Sequence, residues 1–492
     1  MKSFIIINEK DNVGVAIEEL EKGLKISEDI IISELIPFGH KFALKDIKAG
    51  EDILKYGQVI GSAKKDIKKG QNVHTEEIST KLDDIISYEY KPKEVHEKLY
   101  NDKRYFYGYE REDGTVGTRN DIWIIPTVGC VNATARKIAE VSKEMNFEGI
   151  DDIVPVTHNM GCSQLGKDQE TTQKILAGIA KNPNAGGVLI LSLGCENNNL
   201  EKFLPYLGEY DKERIKFLVT QDQEDELEVA LEKVKELVLN AQKYKRKKCG
   251  FDKLTIGFKC GGSDAFSGIT ANPLCGRISD RIVYYGGNTI LTEVPEMFGA
   301  EKLLMERAKN KEIFYDTVDL INNYKQYFKK YNQTIYENPS PGNKKGGIST
   351  LEEKSLGCIQ KGGESYVSGV LDYGEKVENK GLNLLNGSGN DQVSCTNLIA
   401  SGCNLIIFTT GRGNPFGTLV PTIKVSSNSV LANKKKNWID FDAGSIVYNK
   451  SFDEVEVELE NFIENVASGR VITKNEMYNY KEISIFRDGV IL

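Results

Sequence analysis

Histidine is scarce in this chain: four residues in 492, His40, His74, His96 and His158. Each is therefore easy to weigh as a general base or a metal ligand. Long apolar runs are missing too. No stretch approaches the roughly 20 apolar residues that a membrane span requires. The apolar run at residues 4–7 is too short for a signal peptide, and no cleavage site follows it. An excess of basic residues is absent: 64 Lys+Arg stand against 72 Asp+Glu, a net charge of −8. That balance excludes general nucleic-acid binding. The nine cysteines are odd in number and include no C-x-x-C, which argues against a disulfide framework or a zinc ribbon and predicts a reduced, cytoplasmic protein. The glycine-rich loops match neither G-x-G-x-x-G nor G-K-[ST], so neither a dinucleotide site nor a P-loop is predicted.

What is present points to about three domains, the number expected for this length. Residues 1–90 read as a small β-rich domain, with short apolar runs, regular glycine turns and one predicted helix at about 12–22. Lys45-Asp-Ile-Lys-Ala-Gly50 and Lys65-Asp-Ile-Lys-Lys-Gly70 are near copies, the mark of two similar turns in a folded-over β module. Residues 91–107 read as a linker. From 108 to 248 strands alternate with helices, the pattern of a parallel sheet, closing with a charged helix predicted over 222–248. Residues 249–492 form the last domain.

That domain is organised around Lys259-Cys-Gly-Gly-Ser-Asp-Ala-Phe-Ser-Gly-Ile-Thr-Ala-Asn-Pro273. A strand precedes the stretch, and a helix follows it, with Asn272 expected as N-cap and Pro273 at the first helical position. The next strand, expected over 288–294, ends in Glu293, Pro295 and Glu296. Open α/β sheets bind ligands at such carboxyl edges, so Cys260, Ser263, Asp264, Ser267, Glu293 and Glu296 are candidate site residues. Cys162, Cys195 and Cys260 each follow an apolar strand beside a glycine, and three such thiolates could hold one iron or an iron–sulfur cluster. Glu196 follows Cys195 directly. His158 stands four residues before Cys162 and can act as a base or a ligand. His40 and His74 lie in loops of the β domain. Arg119, with Asn120, and Arg412 suit recognition of a carboxylate, which suggests an anionic, hydroxylated small molecule.

With these motifs assembled, the chain resembles the altronate and galactarate dehydratase family over nearly its whole length. The matching segments are Asp11-Asn-Val13, Gly39-His-Lys-Phe-Ala-Leu44, Tyr56-Gly-Gln58, Gly117-Thr-Arg-Asn120 and Leu193-Gly-Cys-Glu196. Lys259-Cys-Gly-Gly-Ser-Asp264, Ser267-Gly-Ile-Thr-Ala-Asn-Pro273, Thr292-Glu-Val-Pro-Glu296, Thr409-Thr-Gly-Arg-Gly413 and Asp440-Phe-Asp-Ala-Gly444 match as well. The resemblance implies an α/β protein with an N-terminal β-clip (SAF-like) domain, a middle α/β domain and a C-terminal Rossmann-like variant with a parallel sheet, assembled as a homodimer. It implies dehydration of a sugar acid, D-altronate first, to its 2-keto-3-deoxy acid, with Fe²⁺, or Mn²⁺ or another divalent metal, as cofactor; an iron–sulfur cluster is the lesser alternative. By this resemblance His158 or His40 supplies base or acid, with Asp264 a further catalytic candidate. Cys162, Cys195, Glu196, Cys260, Glu293 and Glu296 are the metal candidates. Arg119, Asn120, Ser263, Ser267, Asn272, Arg412 and His74 hold the substrate. The chain departs from the family pattern at Asn8 and Glu76, where histidines are usual, and in the loop Asn386-Gly-Ser-Gly-Asn-Asp391. Galactarate, or a C–S bond as in sulfolactate sulfo-lyases, is the alternative substrate class, and a sugar-acid-binding protein is the non-enzymatic one.

Overall fold

A computed structural model describes residues 3–82, 85–95 and 99–492. His96, to which the sequence assigns nothing, lies outside them. Among the described residues no helix is long and apolar enough to cross a membrane.

The N-terminal domain is built from two small antiparallel sheets, one of four strands and one of three. The two near-copies are related turns. Ile47 and Ile67 exchange backbone hydrogen bonds of 2.9 and 2.8 Å. Asp46 accepts from the backbone of Lys69 while Asp66 accepts from the backbone of Ala49, both at 3.0 Å. The helix expected at 12–22 is absent. Val13–Ala16 is instead a buried strand between Phe4–Ile5 and Lys41–Ala43. Gly14 lies on the Phe42 ring, where a Cβ would come within 2.8 Å, so cross-strand packing decides against helix here. Asp11 and Asn12 of the Asp-Asn-Val motif fasten this strand to the Tyr56–Gly57 turn and to Leu54, through bonds of 2.8 Å to Gly57 N and 2.7 Å to Leu54 N.

The middle domain carries a parallel four-stranded sheet ordered Ile153–Pro155, Asp121–Pro126, Ala185–Ser192, Ile215–Val219. Its last helix, Glu226–Ala241, is shorter than expected. The basic run after it forms the strand Arg246–Gly250, antiparallel to Tyr105–Glu110. There Arg246 and Lys248 lie over the Tyr109 and Tyr105 rings at 4.5 and 4.0 Å, a use of cations that local helix periodicity does not reveal.

The C-terminal sheet has seven parallel strands, ordered Val367–Leu371, Gly381–Leu385, Asn288–Leu291, Thr255–Cys260, Leu405–Thr410, Thr422–Ser426, Phe441–Asp442. From the central strand Thr255–Cys260 the chain first builds to one side and then returns to build to the other. The switch point therefore lies between Thr255–Cys260 and Leu405–Thr410, where such sheets open a ligand crevice.

Candidate active site

The strand Thr255–Cys260 delivers Lys259 and Cys260 to the carboxyl edge of the sheet, and both are buried. The neighbouring strand stops at Leu291 rather than reaching 294, because Glu293 adopts left-handed backbone, φ 71°. A buried glutamate in that region is strained. The turn carries its carboxylate back over the first strand, where it accepts from Cys260 N at 3.0 Å and meets Lys259 and, at 3.4 Å, Lys361. Glu296, one turn on, accepts from Lys354 at 2.8 Å.

Beneath these pairs, Cys260 and Cys358 lie with their sulfurs 3.4 Å apart, each 3.0 Å from Glu296 Oε2. Among the described residues, Cys260, Glu296 and Cys358 are the group whose ligand atoms fall within 4.8 Å of one another. The site is charged and largely buried: Lys259, Lys354 and Lys361 against Glu293, Glu296 and the partly exposed Asp391, which lies 3.0 Å from Lys259. Against the burial that would raise it, Lys354, Lys259 and Lys361 hold the Glu296 carboxyl well below its usual range. The hydrogen bond to Cys260 and burial push the Cys358 thiol well above its usual value.

The helix Leu351–Cys358, capped by Thr350, joins this cluster to the N-terminal domain. Glu353 receives Lys41 at 2.9 Å and Lys55 at 2.7 Å, all three buried. Its neighbour Lys354 points to Glu296. Lys354 also donates to Asn343, which in turn donates to Ser263 O at 2.8 Å. The loop after Asn343 presses on the β domain, since a Cβ on Gly347 would fall 2.4 Å from Gly39 O. Beside it stand the His40 and His74 rings, centroids 4.7 Å apart, each with an unpartnered buried Nδ1. Burial lowers both, with Lys41 adding to it, His74 to about 4, so both imidazoles are neutral at pH 7.

The other predicted residues are placed as follows. Asp264 accepts from the backbone of Phe266 and Ser267, and from Ser267, Ser427 and Asn428 side chains. Ser263 is buried. Asn272 is not the N-cap, a place taken by Thr270; it bridges Gly357 O and Thr409 at 3.0 and 2.7 Å. Arg412 is exposed at the switch point. Arg119 pairs with Glu476, and Asn120 with Gly149 O, Ala241 O and Arg111. His158 uses both ring nitrogens locally, Nε2 at 2.7 Å from Pro126 O and Nδ1 accepting from Met160 N at 3.1 Å. Glu196 accepts from Thr127, Ser192 and the Gly194 backbone, each at 2.6 Å. Cys162 and Cys195 are exposed in the middle domain, apart from the Cys260 cluster.

Comparison with known proteins assigns this architecture. Sequence models of the family cover the chain in three pieces: the altronate/galactarate dehydratase SAF domain at 2–81, the D-galactarate dehydratase/altronate hydrolase second domain at 108–242, and the D-galactarate/altronate dehydratase C-terminal domain at 251–491. The chain belongs to the altronate/galactarate dehydratase family. It is a hydro-lyase. Altronate dehydratase of Bacillus subtilis is 48% identical over 100% of both chains, and that of Escherichia coli K12 is 46% identical over 99% of this chain and 100% of its own. Galactarate dehydratase (L-threo-forming) of E. coli K12 is 33% identical over 99% and 97%.

Sequence reasoning missed five of the eight residues of this buried cluster: Lys259, Lys354, Cys358, Lys361 and Asp391. The sequence Thr350-Leu-Glu-Glu-Lys-Ser-Leu-Gly-Cys358 carries a signal, because a fully buried helix that retains two glutamates and a lysine must pair them.

Proposed function

We propose that this dehydratase converts D-altronate to its 2-keto-3-deoxy acid. The observation that carries the reading is the buried lysine, carboxylate and thiol cluster at the carboxyl end of the central strand, in a chain matched end to end by two altronate dehydratases. Elimination requires loss of the proton α to the carboxylate, departure of the β-hydroxyl as water and ketonisation of the resulting enol. The lysine set supplies positive charge in a low-dielectric pocket, where a developing enediolate is stabilised most. His40 and His74, neutral and with free Nδ1 atoms, are the groups we assign to proton removal and return. The 343–347 segment, the end of the short helix Pro341–Lys345 and the turn after it, touches both centres, which supports one substrate between them. Arg412 is assigned to the far, polar end of the sugar acid.

Fe²⁺ is the ion we assign, with Mn²⁺ or another divalent ion the alternative. Cys260, Cys358 and Glu296 would hold it, a set whose softness suits iron above Mg²⁺. Loading exchanges two thiol protons for one dication, so the balance with the lysines is kept. Such an ion supplies Lewis-acid stabilisation of the developing negative charge.

The test is keto-acid formation by anaerobically purified protein supplied with Fe²⁺, on D-altronate and on galactarate. Product from altronate at the higher kcat/KM is expected. Turnover of galactarate alone would refute the substrate assignment. His40→Asn should lower kcat by 10²-fold or more, and an unchanged kcat would remove His40 from the chemistry.

A further inference from the structure

The middle domain holds a feature that the dehydration chemistry above does not use. Three glycine–cysteine pairs, Gly129-Cys130, Gly161-Cys162 and Gly194-Cys195, follow three strands that lie side by side in one parallel sheet: Asp121–Pro126, Ile153–Pro155 and Ala185–Ser192. The sequence suggested a trio of thiols with Cys260 as third member. The fold instead puts Cys260 in another sheet and Cys130 in its place.

Parallel strands end on the same edge, so the three loops are neighbours, and hydrogen bonds tie them together. Gly129 N donates to Met160 O at 2.9 Å and Asn198 N to Gly161 O at 3.1 Å. Ser163 N donates to Asn197 Oδ1 at 2.9 Å, and Asn198 Nδ2 to Thr127 O at 2.9 Å. The glycines permit this approach. A Cβ on Gly161 would fall 2.0 Å from Thr127 O, and one on Gly129 2.9 Å from His158 O. Ser163, next to Cys162, is held at φ 58°.

All three thiols are exposed, whereas Cys260, Cys275, Cys358, Cys395 and Cys403 are buried. Small apolar packing, the usual reason for a cysteine in a tight turn, therefore does not account for them. Cys195 receives a hydrogen bond from Gln221 Nε2 at 3.4 Å, and Cys162 lies 3.8 Å from Ser163 Oγ. Cys130 stands just before the helix Asn132–Glu144, an end whose dipole favours negative charge. Among the described residues, the three sulfurs do not form a group lying within 4.8 Å of one another, so they do not surround a single ion at about 2.3 Å. An iron–sulfur cluster, which binds each cysteine at a different iron, uses thiolates set further apart.

We propose that Cys130, Cys162 and Cys195 ligate a [4Fe–4S] cluster at the carboxyl edge of the middle sheet, with the fourth iron free of any protein thiolate. The three thiols lose their protons on binding, and Gln221 and Ser163 provide hydrogen bonds to the ligating sulfurs, as outer-shell partners do. This centre is separate from the Cys260–Cys358 pair.

The test is anaerobic purification, or reconstitution with equal Fe²⁺ and Fe³⁺ and with sulfide, followed by iron and acid-labile sulfide analysis and visible absorption. About four sulfides per chain are expected, with about four irons in the cluster and one more where the Cys260–Cys358–Glu296 site is loaded. C130S, C162S and C195S should each lose the sulfide and the charge-transfer band, and C260S and C358S should keep both. No sulfide in the reconstituted protein overturns the proposal, and so does a cluster that survives in C130S/C162S/C195S. If those variants fail to fold, wild-type protein still decides. Cys130, Cys162 and Cys195 should alkylate at least tenfold more slowly in the reconstituted protein than after chelation under anaerobic conditions, and equal rates refute the assignment.

Discussion

Glu353→Gln is the substitution that most directly probes how the N-terminal domain is held on the C-terminal one. Glu353 is 1% exposed and is the shared partner of Lys41 and Lys55, themselves 0% exposed, besides accepting from Ser349 N and Oγ at 2.8 and 2.7 Å. The glutamine keeps the volume and removes the charge, which leaves two buried ammonium groups without their anion. Breaking a buried pair in this way costs about 3–5 kcal/mol. Part of that cost is softened at Lys41, whose ammonium is already pushed down to about 8 by burial, and whose Nζ keeps Gly347 O at 2.8 Å. The sign with pH follows. In the variant the folded-state lysines bind protons less tightly than the unfolded chain, whose lysines titrate near 10.4. The variant should therefore regain stability as pH rises towards about 10. Thermal scans across pH would measure the loss. Limited proteolysis of residues 82–104, the segment joining the β domain to the rest, would report its release, since cleavage tracks the population of the open form. A variant with the wild-type melting point and cleavage rate at pH 7 would refute the reasoning, because the remaining contacts of Glu352 with Thr80 and Lys81 would then suffice.

Burial depresses His158 to about 4, so the folded protein refuses a proton that the unfolded chain accepts below about 6.5. Stability of the middle domain should fall by about 3 kcal/mol as pH drops through that window, and urea unfolding of His158→Gln should show the slope removed. Cys358→Ser should leave the circular dichroism intact and weaken binding of a divalent ion at the thiol pair by more than about tenfold, read by anaerobic titration. Gly161→Ala, forced against Thr127 O at φ 98°, should destabilise the protein by about 2 kcal/mol or more, and a neutral result in chemical unfolding would show that this loop can yield.

Local patterning along the chain was enough to reveal the layered architecture and the family. Periodicity and glycine punctuation are local, so the alternating strands and helices from 108 onward, and the strand, loop and helix around Cys260, were legible without coordinates. The reciprocal turns at Asp46 and Asp66 were visible as a repeat for the same reason. The motif Lys259-Cys260 with Glu293 and Glu296 pointed to the right sheet edge, because consecutive strands of a parallel sheet end together. Tertiary structure alone decided the rest. Val13–Ala16 became strand through its partners, against the helix its own stretch suggested. Arg119 and His158 are polar residues near a strand, yet their hydrogen bonds close locally or onto Glu476, far along the chain. Cys358 and Lys354 join the cluster across about 60 residues from Glu296, and Cys130 replaces Cys260 beside Cys162 and Cys195. Composition and spacing name the groups that can carry charge or bind metal. Which of them face one another depends on strand order, which is fixed by packing between segments that the sequence does not place side by side.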